Sequence, residues 1–333
     1  QSFRRTGANL LSALHSAGLS AAEIDSIVTV ENPELAEEAL RKSPGLVLMP
    51  CHMGNWEILT RIHRKLPSGH ANGALYRPLN NPLLDARVLA QREKEGTRLF
   101  SKRDSFHQIT GFVREGGILG ILADQRAGTH GETARFFGRL TRCSPLPALI
   151  ARRSRCQVLG MSLTTAAPGK WRVKFHALSG PISTATCADA IERSMRESPL
   201  DVFWLQERWR VDVRSRFPIQ PWLGTDSRSE GKPHRALLWL ASAPVGWQPP
   251  EGWTHPDVIY EIVLAPGQET PPWLTGSEII HRAPVGNLNK AIAAIDAATA
   301  LPVDYILTCN APETLKKAAA REVIRLVSLP RPQ

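Results

Sequence analysis

Little in this chain of 333 residues offers covalent or metal chemistry. Its five cysteines (Cys51, Cys143, Cys156, Cys187, Cys309) are scattered and odd in number, and none falls in a C-x-x-C spacing. That pattern argues against a disulfide framework or a zinc site and fits a reducing compartment. No run approaches the roughly 18 apolar residues of a membrane span. No secretory signal is recognisable, and because the chain opens on Gln1 rather than Met, a preceding segment is left open. There is no G-x-x-x-x-G-K-[ST], no G-x-G-x-x-G and no G-x-S-x-G, so nucleotide binding and a serine nucleophile lack support. Without a nucleophile, direct transfer is favoured over a covalent intermediate. Only three tyrosines are present and no nucleic-acid module, so nucleic acid is not an expected partner.

What is present is positive charge and an ordinary apolar content. Lys and Arg number 41 against 31 Asp and Glu, giving a net charge of +10, and 42% of residues are hydrophobic. Residues 232–333 hold nine of each sign, so the whole excess lies in the first 231 residues. A basic face suits an anionic membrane, an acidic protein, a phosphorylated substrate or nucleic acid, and charge alone does not choose among them.

The densest convergence of pattern and chemistry is Cys51-His52-Met53-Gly54-Asn55-Trp56-Glu57. The apolar run 45–51 before it reads as a fully buried strand. Trp56 to Lys65 after it has helical spacing, with Ile58, Leu59, Ile62 and Leu66 on one face. His52 then occupies a strand-to-helix turn. Asn55 is expected to cap the helix, and Glu57 falls in the first turn, where the dipole favours a carboxylate. A turn through Gly54 would let Glu57 hold the His52 imidazole at the carboxyl edge of a sheet, the geometry of a general base. Cys51 points to the opposite face from His52 and is read as packing.

Around this turn the chain alternates. Amphipathic spacing predicts a helix over 3–20 carrying Leu10, Leu11, Leu14 and Leu19, expected to pack on a core, with a bilayer as its other suitable surface. A helix over 33–42 follows, then a strand over 71–76 and a helix over 82–94 with Leu83, Leu84, Val88 and Leu89 buried. A helix over 106–114 leads to a buried strand over 117–123 that delivers Asp124 and Gln125 to its end. Asp124 is open to three roles: catalytic group, partner of an arginine, or helix cap. Residues 135–138 read as a short strand or turn and 147–153 as a helix. Strands over 157–164 and 171–176 form a hairpin about Pro168-Gly169, and 188–198 is helical. Arg77, Arg92 and Arg103 are candidate anion-binding or oxyanion groups, as against a solvated charged face. Arg152-Arg153-Ser154-Arg155 and Arg208-Trp209-Arg210 suit a phosphate or headgroup zone equally well as a solvated helix end. The polar, breaker-rich stretch 224–233 reads as a linker. A small α/β domain over 234–333 follows, with strands at 236–240, 258–264, 278–281 and 305–308 and helices at 288–298 and 312–327. The expected organisation is therefore a domain over 1–223, the linker, and the small domain, the whole α/β with a largely parallel sheet flanked by helices.

The order of motifs resembles the lipid A biosynthesis (lauroyl/myristoyl) acyltransferases, a branch of the H-x4-D/E glycerolipid acyltransferase superfamily. His52-Met53-Gly54-Asn55-Trp56-Glu57 fits the H-x-G-N-W-E core, and Tyr76-Arg77-Pro78, Asn81 to Asp85, Arg92, Arg103, Asp124-Gln125, Phe136-Phe137-Gly138 and the Trp204–Trp209 block follow in order. The resemblance spans about residues 1–215. It implies a mixed, largely parallel sheet and transfer of an acyl chain from an acyl carrier protein thioester to a hydroxyl of a phosphorylated saccharolipid. The implied place is the cytoplasmic face of a bacterial inner membrane, with no cofactor beyond the thioester substrate. By position, His52 is the base and Glu57 its orienting partner, with Arg92 and Asp124 as further active-site residues. Asn55, Trp56, Tyr76, Arg77, Arg103, Gln125 and Arg208 are substrate-binding candidates.

Departures from the family pattern matter. Its N-terminal membrane anchor is not among these residues, so attachment is expected through the leucine-bearing helix, a basic-aromatic surface or a preceding segment. The Trp204–Trp209 block lacks a histidine before its basic residues, which loosens the acceptor assignment. A glycerophospholipid acceptor and a non-catalytic membrane-surface scaffold stand as alternatives. Residues 232–333 lie outside the resemblance.

Overall fold

A computed structural model describes residues 1–101, 103–128, 131–206, 208–209, 233–250, 253–274, 279–284 and 286–329. Contacts divide the chain into an N-terminal unit, Gln1–Arg208, and a C-terminal unit, Trp209–Gln333. The linker expected over 224–233 lies outside the described residues except for Pro233.

The N-terminal unit runs α1 (Ser2–Ala17), α2 (Ala21–Ile27), β1 (Val28–Val30), α3 (Pro33–Lys42) and β2 (Leu46–Pro50). Two 3-10 segments follow, Trp56–Arg61 and His63–Lys65. Then come β3 (Asn72–Leu75), α4 (Pro82–Glu93), β4 (Arg98–Phe100), α5 (Phe106–Arg114) and β5 (Ile118–Gly120). The unit is completed by β6 (Glu132–Phe136), β7 (Arg139–Cys143), α6 (Leu146–Ser154), β8 (Gln157–Ala167), β9 (Lys170–Ala177) and α7 (Thr184–Arg196). Among the described residues the main sheet has seven strands in the order β1-β9-β8-β2-β5-β3-β4. Every pairing in it is parallel except the β8–β9 hairpin, so the sheet is mixed and largely parallel, as expected. β2 is central and all five of its residues are buried, which is why its sequence is apolar without alternation. α3, α6 and α7 pack on β2 and β8, and capping boxes start α2, α5 and α7 at Ser20, Ser105 and Ser183. Of residues 135–138, Arg135 and Phe136 end β6, and Phe137 and Gly138, both at positive φ, form the turn of the β6–β7 hairpin.

Two helices reverse the expected burial. α1 packs through Thr6, Asn9 and Ser16, whereas Phe3, Leu10, Leu11 and Leu14 face outward, Leu11 and Leu14 being 69% and 76% exposed. The inward face is polar because its partners are polar. Asn9 Nδ2 donates to Asp201 and Asn9 Oδ1 accepts from Trp171 Nε1, while Ser16 accepts from Asn55 and its carbonyl from the buried Arg61. α4 buries none of its residues, and Leu83 and Leu84 are exposed, because its main packing among the described residues is against the 3-10 segment and β4.

The C-terminal unit contains β10 (His234–Trp239), β11 (Val258–Leu264), β12 (Ile279–Arg282), α8 (Leu288–Ala297), β13 (Tyr305–Thr308), α9 (Glu313–Arg321) and β14 (Arg325–Ser328). Its five described strands are all parallel, in the order β12-β11-β10-β13-β14. Leu237, Val263, Ile306, Ile292 and Leu315 form its core. Buried Arg235 is paired with Glu261, which His281 also reaches. Burial works to raise the Glu261 pKa, but bonds from Arg235 and His281 outweigh it and hold the carboxyl below its ordinary value. The helix expected over 312–327 is interrupted. Val323 takes a left-handed φ of 58°, and the chain continues as β14, an edge strand whose pairing with β13 decides its conformation.

Asp201 ties α1, β8 and the segment after α7 together. Its carboxylate accepts from Asn9 Nδ2 at 3.2 Å, Thr165 N at 2.9 Å, Thr165 Oγ1 at 2.6 Å and Ser198 Oγ at 2.7 Å. Burial pushes the Asp201 pKa up, but these bonds prevail and its pKa is lowered. Its contribution is therefore complete above the ordinary carboxylate range and is lost as pH falls through the lowered value. Asp201→Ala is expected to cost about 3 kcal/mol in denaturant unfolding. Asp201→Asn is expected to lose that part of the acid dependence in a pH series of melting temperatures.

Candidate functional site

Register builds the site. Leu48 on β2 lies beside Gly120 on β5, and four residues further along the chain from each, past the strand ends, stand His52 and Asp124. His52 therefore meets a carboxylate from the neighbouring strand. Asp124 is 2% exposed and grips His52 twice, Oδ2 accepting from the main-chain N–H at 3.0 Å and Oδ1 from ring Nδ1 at 2.7 Å. An ionised carboxylate only accepts, so the proton belongs on Nδ1 and Nε2 carries the lone pair. The His52 side chain remains 16% exposed, and Gln125 Nε2 lies 3.5 Å from His52 Nε2.

The expectation that Glu57 holds His52 is corrected here. Glu57 lies beside α4 instead, where Arg92 Nε donates to Oε2 at 3.0 Å and Nη2 to Oε1 at 2.8 Å, with Trp56 Nε1 a further donor to Oε1 at 3.2 Å. The reason is local. The chain after the turn is a 3-10 segment rather than an α-helix, and the carboxylate meets a guanidinium in the bidentate geometry that suits both groups. Asn55 makes no capping bond. It is 1% exposed and donates to Ser16 Oγ, so it joins the turn to α1.

Support for the turn comes from the segment after α7. Phe203 N–H donates to His52 O, Gly54 N–H to Asp201 O, and Met53 bridges Val202. Gly54 has φ +57°, and a Cβ there would stand 2.4 Å from Leu163 O. Trp56 meets the His52 ring edge-on at 5.4 Å and packs on Phe203. Cys51 is buried and its thiol pKa is pushed well above its ordinary value, by burial and then by Asp124, which fits packing rather than catalysis.

Beside this turn an apolar cavity lies over β2, β3 and β5. Trp56, Glu57, Tyr76 and Arg92 line it, together with Leu59, Leu75, Leu99, Leu122 and Met161, which sequence reasoning did not single out as site residues. Their signal was the apolar pattern itself, which reads equally as core. Arg77 follows Tyr76 and is exposed, and Arg103 is exposed on the turn before α5; neither lines the cavity. Arg208 does not line this cavity but a small pocket beside Asp124. It is 4% exposed, its Nη1 donates to Arg142 O at 2.9 Å, and its guanidinium stacks over Phe136 at 4.4 Å. Among the described residues no cluster of His, Cys, Asp and Glu could hold a metal.

Residues 1–211 match the family model of the bacterial lipid A biosynthesis acyltransferases, well over half of the chain. The chain belongs to that family. A comparison with curated proteins finds no match. The family match spans the whole N-terminal unit of this acyltransferase, including the His52 turn, the cavity and the Asp124 edge. In an acyltransferase of this build Gly54 admits no side chain. Gly54→Ala is expected to cost about 1–3 kcal/mol of stability through overpacking and to lower acyl transfer more than it lowers the melting temperature would suggest, read by activity and thermal unfolding of the same preparation.

Proposed function

We propose that the N-terminal unit moves a fatty acyl chain from an acyl carrier protein thioester to a hydroxyl of a phosphorylated lipid A precursor, with His52 as general base. The observation that carries this reading is an accessible imidazole, fixed through Nδ1 on a buried carboxylate, beside an apolar cavity. His52 Nε2 takes the acceptor's hydroxyl proton as its oxygen attacks the thioester carbonyl. Asp124 holds the ring in the productive tautomer and stabilises the imidazolium that forms. The tetrahedral intermediate then collapses to the ester and expels the carrier thiolate, which takes the proton held on His52 Nε2 and so restores the neutral imidazole. Arg92 uses its Nε hydrogen and one Nη2 hydrogen on Glu57, so its two Nη1 hydrogens and the second Nη2 hydrogen are the donors left for the oxyanion. Glu57 acts by placing Arg92 and Trp56.

The same reading places the unit on the anionic cytoplasmic surface of the inner membrane. No described helix is long and apolar enough to cross a membrane, and the surface that suits peripheral attachment is the outward stripe Phe3, Leu10, Leu11 and Leu14 on α1. The positive charge of the first 231 residues fits an acidic carrier protein, a phosphorylated acceptor and an anionic bilayer.

Thioester consumption with carrier protein and lipid A precursor tests the chemistry. His52→Ala is expected to lower kcat about a thousandfold and Asp124→Asn about a hundredfold, while Glu57→Gln acts through Arg92 and is non-additive with Arg92→Ala. Full turnover in His52→Ala would sink the assignment. For attachment, Leu11→Glu with Leu14→Glu is expected to abolish co-sedimentation with phosphatidylglycerol vesicles while leaving the melting temperature unchanged. Undiminished vesicle binding would rule out α1 as the anchor.

A further inference from the structure

Most of the cavity wall is hydrocarbon, but part is not. Glu57, Thr60 and His63 fall at every third residue across the two 3-10 segments, Trp56–Arg61 and His63–Lys65, and with Leu66, which follows them, form a ridge of the cavity wall. Beyond Glu57 the ridge leaves polar atoms without satisfaction. Thr60 Oγ1 and His63 Nδ1, together with Asn72 Oδ1 on the facing strand, are buried and have no hydrogen-bond partner among the described residues. Buried polar atoms are ordinarily paired, and three lining one cavity call for a polar group inside it.

Two independent lengths set the depth of that group. Asn72 lies at the level of Ile118, and Ala74 at the level of Gly120 and Leu48, so Tyr76 belongs to the outer, catalytic edge. At about 3.3 Å per residue, Asn72 lies roughly 13 Å inward of Tyr76. At about 2 Å per residue along the first 3-10 segment, Thr60 lies about 6 Å, one turn, inward of Glu57, and His63, which opens the second segment after Ile62, lies further in. His63 and Asn72 thus occupy the inner end, far from the thioester.

The donors and acceptors fix the chemistry. Asn72 Nδ2 donates to His70 O at 3.4 Å, which leaves Oδ1 as an acceptor in want of a donor. A keto or ether oxygen cannot donate, and a methylene does neither. A hydroxyl can donate to Asn72 Oδ1 while accepting from His63 Nδ1–H, or, nearer the mouth, accept from Thr60 Oγ1–H. Resting on the acyl-transfer reading, we propose that the cavity selects an acyl chain bearing a hydroxyl in its distal half, and that Thr60, His63 and Asn72 are the specificity-determining residues.

The test compares three carrier-protein thioesters of equal chain length: fully saturated, hydroxylated third from the carbonyl, and hydroxylated next to the methyl end. The distally hydroxylated chain is expected to exceed the saturated one about tenfold in kcat/KM, one hydrogen bond's worth, and the chain hydroxylated near the carbonyl to gain nothing. Asn72→Leu and, separately, Thr60→Val are expected to raise turnover of the saturated chain relative to the hydroxylated one. Equal use of all three chains, or preference for the saturated one, in the unaltered protein overturns the proposal, since ordered water then suffices for those atoms. No consumption of any chain would instead remove the acyl-transfer reading. Equilibrium binding of the corresponding free fatty acids separates the two, because the distal-hydroxyl preference would persist there if only the transfer step were misassigned.

Discussion

The bond between Asp124 and His52 is what the rest of the N-terminal unit makes possible. It needs β2 and β5 to be neighbours in parallel register, so that two side chains 72 residues apart leave the same edge at the same level. It also needs the turn after β2 to be tight enough to present the ring, which Gly54 supplies by taking a positive φ against Leu163 O. Finally the carboxylate must be out of water. At 2% exposure Asp124 has exchanged its hydration for the main-chain and ring N–H groups of one residue, a geometry that leaves the imidazole little freedom.

A second layer holds that turn in place through polar contacts. Asp201 accepts from α1 and β8 through its side chain and from Gly54 through its carbonyl. Arg61, the buried last residue of the first 3-10 segment, donates to Ser16 O and Leu19 O and pairs with Glu95. These bonds explain the orientation of α1. Its polar side chains are needed inward, as partners for Asp201, Trp171 and Asn55, and its leucines are left outward as a consequence. The same arrangement that steadies the catalytic turn thus supplies an apolar outer stripe.

The cavity follows from a similar division of labour. Parallel strands buried on both faces give it a hydrocarbon floor, and a 3-10 segment, with three residues per turn, sets residues of one character in a line. An α-helix over the same residues would have spread Glu57, Thr60 and His63 around its surface. Local helix type therefore decides whether the wall of the cavity is uniform or carries a polar seam.

Much of this was legible in the residues alone. The buried strands around 46–50 and 118–120, the hairpin after residue 157, the alternation in the C-terminal unit and the importance of His52 and Asp124 all follow from apolar runs, breakers and motif spacing. The partner of His52 did not follow, because sequence proximity favoured Glu57 whereas register between β2 and β5 brought Asp124, and register is a property of strand pairing. Nor did the faces of α1 and α4, since periodicity shows that a helix has two faces without showing which neighbour each will meet. Sequence determined which residues carry the chemistry and which segments are buried; tertiary structure decided which carboxylate touches the imidazole and which leucines face water, because both depend on contacts between segments distant in the chain.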